Sequence, residues 1–312
     1  MTRYYVILNP VSGKGTGEQA FQPISDQLQA MKVDFEIVRT QAPGHAIELA
    51  EQAAITGWDV VAAVGGDGTM NEVLNGLVKA RRNHQSQAAL GLIPVGRGND
   101  FSFGAGAPMD LHTACETLVS GHRKWIDVGF VQGGDYPAGR YFGNGVGIGF
   151  DAVVGFVAAK QKRLHGFLSY IVAALKTIFL YYQPPKVQID WDDQSLSQSS
   201  LMVSVMNGRR MGGGFMMAPD GKMDDGLFDL CLAGKVSRPA IFGLIPKFMS
   251  GTQASHAAIK MLRAKHLVVT ALEGVLPAHA DGETICVAGK RLELTLVPHT
   301  LEVIVPAADG GI

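Results

Sequence analysis

The feature that most constrains this 312-residue chain is a glycine-rich turn between an apolar run and a helix. Residues 60–64 have the pattern of a buried strand, Gly65-Gly66-Asp67-Gly68-Thr69 follows, and residues 70–80 have the pattern of a helix. Glycines let backbone N–H groups approach an anion closely, and a helix N-terminus adds free donors. Because a bare carboxylate at Asp67 would repel phosphate, we expect a cation between them. The segment predicts an enzyme that uses a nucleotide.

Composition narrows the class of partner and the compartment. With 27 Lys and Arg against 28 Asp and Glu, the chain has no basic field for nucleic acid, so we expect no such partner. Its three cysteines are far apart and lack metal-ligand spacing, which favours a reducing cytoplasm. The first residues lack the pattern of a signal peptide. The most apolar stretch, residues 167–182, is too short for a membrane span and carries Lys176.

Strands and helices alternate through the first part of the chain. We predict strands at residues 4–8, 33–38, 59–64 and 90–93, with helical stretches between them. This alternation predicts a Rossmann-like, three-layer parallel sheet covered by helices. Ligands of such sheets lie beyond the carboxyl ends of the strands. The loops 9–17, 40–44, 65–69 and 94–100 are expected there, and all are rich in Gly, Pro, Ser or Thr.

After Asp127 short strands predominate, which predicts a β-rich sandwich domain. We interpret residues 192–200 as a turn and residues 151–182 and 238–264 as helical interruptions. We therefore expect an α/β chain of two domains. A nucleotide-binding α/β domain would cover residues 1–128, with residues 304–312 returning to it, and a β-sandwich substrate domain would cover residues 129–303.

Two further loops of the first part could bind phosphate. Residues 9–15 resemble a phosphate loop but fail the Walker A spacing, and an ordinary strand-to-helix turn is the alternative. In residues 94–100, Arg97 stands between glycines, where a guanidinium could hold a phosphate with two hydrogen bonds. The alternative there is a glycine-rich connector.

Acidic clusters of the second part suggest metal and proton-transfer chemistry. Residues 218–227 contain three aspartates, a set of oxygen donors that suits Mg²⁺, although a polar turn at Asp225-Gly226 explains them equally. Asp281-Gly282-Glu283 could deprotonate a hydroxyl or hold it through a metal, or be a simple turn. Three basic residues precede the apolar stretch 167–182 and form either a solvated end or a membrane-surface face: Lys160, Lys162 and Arg163.

Taken together, these segments resemble the bacterial diacylglycerol kinase-like lipid kinases, a superfamily with sphingosine kinases and, more distantly, NAD kinases and phosphofructokinases. The resemblance spans nearly the whole chain. It is carried by Asn9-Pro10, Ser12-Gly13, Thr40, His45-Ala46, the 65–69 loop with Asn71-Glu72, residues 94–101, Asp127-Val128-Gly129, residues 143–150, Ala218-Pro219, Asp225-Gly226-Leu227 and Asp281-Gly282-Glu283.

The resemblance implies ATP and Mg²⁺ as cofactors. It implies that the nucleotide is held by Asn9, Pro10, Ser12, Gly13, Thr40, Gly65, Gly66, Asp67, Gly68, Thr69, Met70, Asn71, Gly96 and Arg97. Arg97 stands where many members of the family have Thr. Asp67, Asp100 and Asp127 resemble an acidic network around metal and water. The Asp225 carboxylate, with the backbone carbonyls of Lys222 and Leu227, resembles a structural Mg²⁺ site. Asp67, Asp281 and Glu283 are the implied catalytic residues, with the base on either Asp281 or Glu283.

The function implied is transfer of a phosphoryl group from ATP to a lipid hydroxyl, with diacylglycerol or a related lipid alcohol as acceptor. Two alternatives are a soluble kinase of the NAD kinase type and a catalytically silent nucleotide or lipid sensor. As partners we expect a lipid substrate, peripheral contact with a membrane and a possible homodimer. We expect the protein in the cytoplasm, at the membrane periphery.

Overall fold

A computed structural model describes residues 1–159, 172, 176 and 184–307. The chain forms two compact units, and each contains a different kind of sheet. The first unit is Met1–Asp127 together with the chain from His299 onward, and the second is Val128–Pro298. From the sequence, the first domain was expected to end at residue 128, and the chain was expected to return to it at residue 304.

The first unit is built on a parallel sheet. Its strands are β1 (Arg3–Leu8), β2 (Asp34–Arg39), β3 (Val60–Gly65) and β4 (Ala89–Pro94). They are joined by the end of the last strand of the chain, where Val303 pairs with Leu90. The order is β2-β1-β3-β4-last strand, and every pair is parallel. All carboxyl ends therefore lie along one edge, as the alternating pattern predicts.

Helices cover both faces of this sheet. They are α1 (Thr16–Gln19), α2 (Phe21–Ala30), α3 (His45–Ile55), α4 (Asp67–His84), α5 (Asp100–Ala105) and α6 (Leu111–Ser120). Alternate strand residues such as Val6 and Val64 pack with Ile24 of α2 and Leu118 of α6. The intervening strand residues are equally buried, and α3 and α4 pack against β1 and β3. The expected three-layer α/β arrangement is confirmed.

The second unit is rich in strands, as expected. These are β5 (His122–Gly133), β6 (Tyr136–Phe142), β7 (Gly145–Gly149), β8 (Lys186–Trp191), β9 (Gln194–Met206), β10 (Phe228–Gly234), β11 (Ile259–Ala264), β12 (His266–Glu273), β13 (Leu276–Ala280), β14 (Glu283–Gly289) and β15 (Arg291–Val305). Among the residues that the structure describes in this unit, the α-helices that accompany them are α7 (Phe150–Ala159) and α8 (Arg238–Ser250).

Antiparallel pairing holds these strands together around two cores. The path β14-β13-β7-β9-β8-β12-β15 is antiparallel at the pairs β13–β14, β13–β7, β7–β9, β8–β9, β12–β8 and β12–β15. β10 pairs with β9 and β11. One core contains the stacked rings of Phe142 and Phe228, and a second lies beneath α8 and includes Ile241, Leu244 and Phe248.

Two local predictions in the second unit are wrong. The predicted helix 238–264 ends at Ser250, because Gly251 adopts a left-handed conformation that caps it, and residues 259–264 pair with β10 as strand β11. The predicted turn 192–200 is confined to Asp192 and Asp193, and β9 begins at Gln194. In both cases strand pairing outweighs the local pattern: residues 259–264 pair with β10, and residues 194–199 form a hairpin with β8.

The apolar stretch 167–182 and the three basic residues before it lie outside the described residues, apart from Val172 and Lys176. In the part of the chain that the structure describes, no helix is long and apolar enough to cross a membrane.

Candidate functional site

Three loops meet at the carboxyl edge of the parallel sheet. They follow β1, β3 and β4, and their glycines lie almost in contact. A Cβ atom on Gly96 would lie 2.3 Å from the Cα of Gly66, and one on Gly66 would lie 3.6 Å from the Ser12 hydroxyl. Side chains at Gly66 and Gly96 would fill the space between the loops. Without side chains at these two positions an anion could approach the loop backbone closely, as a phosphate site requires.

The loop after β3 leads directly into α4, whose first residue is Asp67. A Cβ atom on Gly65 would lie 2.4 Å from the Thr69 hydroxyl oxygen, so this turn closes tightly over the first turn of the helix. The first turn and the positive dipole end of this 18-residue helix therefore lie at the edge where the three loops meet.

Several predicted nucleotide contacts hold the loops together through their side chains. The Asn9 amide donates a hydrogen bond to the Thr69 hydroxyl at 2.9 Å, and its oxygen accepts the N–H of Val11 at 3.2 Å. Met70 and Asn71 are buried in the first unit. Asn9 and Thr69 thus join the loop after β1 to the loop after β3. The Met70 side chain belongs to the core.

Two carboxylates converge on Gly98. A Cβ atom there would lie 2.8 Å from Asp67 Oδ2 and 3.3 Å from Asp100 Oδ2. The other Asp67 oxygen accepts the N–H of Phe101 at 3.0 Å, which fixes the side chain. Two carboxylate oxygens in one small space are the donors that Mg²⁺ prefers, so these residues fit such a cation.

The third acidic residue of the expected network is placed differently. Asp127 is fully buried and accepts the backbone N–H of His299 at 2.8 Å. This hydrogen bond joins the end of the segment Met1–Asp127 to His299, where the chain returns to the first unit.

Cations and donors surround the same edge. Arg97 is exposed in the loop after β4, and Lys14 is exposed in the loop after β1. Thr40 follows β2 and donates its N–H to the Leu8 carbonyl at 2.9 Å, beside the end of β1. Both Arg97 and Lys14 belong to loops that the glycine contacts bring together, so either can approach an anion bound at this edge.

Sequence reasoning assigned no role to two residues that shape this edge. The Glu72 carboxylate accepts the N–H groups of Gly44 at 2.8 Å and Ala46 at 3.1 Å, and so caps the N-terminus of α3. The Asn99 side-chain oxygen accepts the Gly96 N–H at 3.0 Å, and the Asn99 side-chain NH₂ donates to the Gly96 carbonyl at 3.2 Å. Asn99 itself has a left-handed backbone conformation. An Asn after a Gly-x-Gly sequence is a recognisable turn signal, whereas the contacts of Glu72 need the tertiary fold.

In the second unit the structure separates the two candidate bases. Asp281 has 4% of its surface exposed, and its oxygens accept three backbone N–H bonds, from Gly143 at 2.7 Å, Asn144 at 3.0 Å and Gly145 at 2.9 Å. Glu283 begins β14 after the turn and is partly exposed. Asp281 therefore holds the start of β7 in place, while Glu283 is accessible to a bound molecule.

Two of the three predicted metal residues, Lys222 and Asp225, line a cavity in the second unit. The cavity has a volume of about 530 Å³ and is lined by Lys222, Asp225, Asp229 and Arg263 among others. Asp225 bonds the Arg263 guanidinium and accepts the N–H of Leu227 at 3.2 Å. Burial raises the pKa of Asp229. The Arg263 guanidinium lowers this pKa, and the negative charges of Asp225 and Asp220 raise it further. Within the described residues, no three His, Cys, Asp or Glu side chains form a metal-binding group.

A polar cluster that sequence reasoning missed lies across three strands of the second unit. His279, Gly147 and Ser204 occupy one row of β13, β7 and β9. A Cβ atom on Gly147 would lie 2.4 Å from Asp151 Oδ2 and 2.6 Å from His279 Nε2, and Ser204 donates to Asp151 at 3.2 Å. Burial raises the pKa of Asp151 to about 6 and lowers the pKa of His279 to about 4. No sequence spacing indicates this cluster, because the strands are far apart in the chain.

Both units match known families. Residues 3–131 match the family described as the diacylglycerol kinase catalytic domain, and residues 144–305 match the YegS C-terminal NAD kinase beta sandwich-like domain. The second match alone spans more than half of the chain. The chain belongs to the diacylglycerol kinase-like family of kinases. Membership in this kinase family implies the use of a nucleotide, which agrees with the loops at the sheet edge.

Individual relatives agree with this family. The chain is 30% identical over 303 residues to a diacylglycerol kinase of Mycobacterium tuberculosis, which covers 96% of this chain and 94% of the relative. It is 29% identical over 286 residues to a diacylglycerol kinase of Bacillus subtilis, covering 91% and 90%.

Solved structures agree in fold. A diacylglycerol kinase from Bacillus anthracis superimposes with a TM-score of 0.73 at 23% identity, covering 97% of this chain and 96% of that one. Yeast NADH kinase in complex with NADH superimposes with a TM-score of 0.52 at 11% identity, covering 98% and 84%. The diacylglycerol kinase-like family thus shares its architecture with an NADH kinase.

Proposed function

We propose that the chain is an ATP-dependent lipid kinase that transfers the γ-phosphoryl group of ATP to the hydroxyl of diacylglycerol or a related lipid alcohol. The observation that carries the proposal is the edge where the glycines of three loops meet at the N-terminus of α4, beside the Asp67 and Asp100 carboxylates. Relatives named diacylglycerol kinase, matched along nearly the whole chain, support the lipid acceptor.

Phosphoryl transfer depends on positioning and on neutralising charge. The loop N–H groups and the start of α4 would bind the phosphates, and Arg97 or Lys14 would offset charge that develops on them. The acceptor oxygen forms a bond to the γ-phosphorus while the bond to the bridging oxygen breaks. The acceptor proton passes to a base, and ADP leaves.

Mg²⁺ is part of this proposal. Asp67 and Asp100 offer the oxygen donors, and a bound Mg²⁺ would neutralise phosphate charge. The expected structural site at Asp225, with the carbonyls of Lys222 and Leu227, competes with the Arg263 ion pair. A cation would have to displace that guanidinium from Asp225.

Glu283 is the base in this proposal, and Asp281 is a positioning residue. Asp281 is 4% exposed and its oxygens already accept three backbone N–H bonds, so little of the carboxylate is available to an acceptor hydroxyl. Glu283 is two residues away, on the same turn, and more exposed.

The first test is incubation of the purified protein with Mg²⁺, γ-labelled ATP and lipid extract in mixed micelles, followed by lipid separation. A labelled lipid names the acceptor, and Asp67→Asn should lower its formation by about 10²-fold or more, because it removes one of the two carboxylates that would hold Mg²⁺. Asp110→Asn, on an exposed helix cap of the same unit, is the matched control. A second incubation adds NAD, and label on NAD with none on lipid would overturn the lipid acceptor.

The second test separates the two acidic residues of the turn. Glu283→Gln should lower kcat with little change in the KM for ATP and in the unfolding midpoint, whereas Asp281→Asn should lower the unfolding midpoint. Full turnover in Glu283→Gln would contradict the assignment of the base.

A further inference from the structure

The Arg263 side chain lies between two carboxylates of the second unit. Arg263 is directly opposite Asp229 across the antiparallel pair β10–β11, and its Nε lies 3.3 Å from Asp229 Oδ1. Its Nη2 forms an ion pair with Asp225, which comes shortly before β10. A guanidinium is planar, permanently charged and rich in N–H donors, so one Arg can bridge two carboxylates.

This bridge involves both oxygens of Asp225. Oδ2 pairs with Arg263, and Oδ1 accepts the N–H of Leu227 at 3.2 Å. The Arg263 side chain is half-exposed, whereas the side chains of Asp225 and Asp229 are 22% and 14% exposed. Water therefore screens the bridge less than it screens an ion pair between fully exposed side chains.

The resemblance to the lipid kinases implies a structural Mg²⁺ at this place, held by Asp225 and the carbonyls of Lys222 and Leu227. The residues around Asp225 do not fit that ion. Mg²⁺ demands several oxygen ligands in a near-octahedral arrangement, but both Asp225 oxygens already have partners. The adjoining guanidinium would also repel a second cation.

We infer that the Arg263 guanidinium replaces the structural divalent cation of the second unit. An ion pair within the chain then holds the segment at Asp225 to β10 and β11, and the stability of this unit does not depend on Mg²⁺. The inference goes beyond the proposed function and does not rest on it, because it concerns how the second unit is held together.

The replacement has a consequence for the proposed reaction. ATP itself binds Mg²⁺, so a second unit that needed the ion would compete with the nucleotide for it. With Arg263 in place there is no such competition. The Mg²⁺ requirement of the reaction would then arise at the Asp67 and Asp100 carboxylates of the first unit.

The experiment is thermal unfolding of the full chain without ATP, in a chelator and in excess Mg²⁺. Arg263→Gln leaves Asp225 and Asp229 without their cation, so it should melt below the parent in the chelator. Mg²⁺ should raise its melting temperature by at least about 2 °C more than it raises that of the parent, by mass action at the vacated carboxylates. Asp67 and Asp100 are retained in both chains, so Mg²⁺ bound there contributes equally.

Two further variants locate the effect. Lys260→Gln removes an exposed charge from the same strand and should show the same rise as the parent. Adding Asp225→Asn to Arg263→Gln should abolish the additional rise, because it removes the carboxylate that Mg²⁺ would bind. An equal rise in the parent and Arg263→Gln would overturn the inference, as would an additional rise in Lys260→Gln.

A second comparison does not require Arg263→Gln to fold. If Mg²⁺ bound at Asp225 in the parent, Asp225→Asn would show a smaller rise than the parent. We expect equal rises in these two chains, and a smaller one in Asp225→Asn would overturn the inference. None of these measurements follows phosphoryl transfer, so their failure would leave the proposed function untouched.

Discussion

At the scale of single residues, the close approach of Gly66 and Gly96 determines whether the loops after β3 and β4 can meet. The Cα of Gly66 lies where a side chain on Gly96 would have to be. Both residues were assigned to the nucleotide from the sequence. The sequence indicates that glycine is needed there, but the contact between the two loops that explains the need comes from the sheet order.

Gly96→Ala should separate the loops after β3 and β4. Because the new methyl group would lie 2.3 Å from a backbone atom, we expect a loss of about 1–3 kcal/mol in stability and much weaker nucleotide binding. Urea unfolding and ATP titration calorimetry measure the two effects. Gly234→Ala, whose nearest neighbour atom would be 3.5 Å away, is the control and should behave as the parent. Unchanged ATP affinity in Gly96→Ala would contradict the placement of the site.

At the scale of secondary-structure elements, α3 depends on a side chain from α4. Two N–H groups at the start of α3 have the Glu72 carboxylate as their acceptor. The helix itself was predictable from its pattern at residues 45–56. Its cap was not predictable, because the capping residue lies 26 residues further along the chain.

Glu72→Ala should destabilise the chain by about 1–3 kcal/mol, since it leaves two helix N–H groups without their acceptor. Glu72→Gln keeps an acceptor oxygen and should lose less. Glu48→Ala, an exposed position in the first turn of α3, should have little effect in the same urea titration. A Glu72→Ala midpoint equal to that of Glu48→Ala would show that the cap contributes nothing.

At the scale of the whole molecule, the chain enters the first unit twice. The returning segment brings Val303 beside Leu90, Glu302 to Arg123 at 3.1 Å and the His299 N–H to Asp127. Sequence patterning could predict a strand there. The chain was expected from its sequence to return to this domain at residue 304, and the structure places the return at His299. The parallel pairing of Val303 with Leu90 could not be predicted, because antiparallel and parallel partners need the same apolar pattern over so few residues.

A chain that ends at Pro298 should lose the cooperative unfolding of the first unit, since it removes the buried Leu301, Val303 and Ile304 from that unit. Hydrogen exchange of β1 and β3 would report the loss. A chain that ends at Ala307 retains β15 and is the control. Native exchange rates in the shorter chain would contradict the role of the returning strand.

Global stability should also depend on pH through the cluster in the second unit. The pKa of His279 falls from 6.5 to about 4, so stability is lost as the pH falls through that range, because the unfolded chain binds the proton first. The pKa of Asp151 rises from 3.8 to about 6, so the folded chain binds the proton first and stability increases as the pH falls from 6. Between pH 4 and 6 the two contributions oppose each other.

Single substitutions should reveal each contribution separately. Relative to the parent, Asp151→Asn should lose stability on the order of 3 kcal/mol more as the pH falls from 6.5 to 4, and His279→Asn should lose less than the parent. Urea unfolding at several pH values measures these differences, and titrating groups elsewhere cancel in the comparison. Parallel stability curves for the parent and both variants would contradict the assignment of these pKa values.

The sequence by itself determined the alternation of strands and helices, the glycine loops, the α/β class with a β-rich second part, and the diacylglycerol kinase-like resemblance. Apolar periodicity, turn chemistry and short motifs depend on near neighbours in the chain, so they can be identified without the fold. The tertiary structure decided that residues 259–264 form a strand, that Asp281 is bound by three backbone N–H groups, and that the side chains of His279 and Asp151 both lie beside Gly147. These outcomes depend on register between strands far apart in sequence, and no local pattern encodes that register.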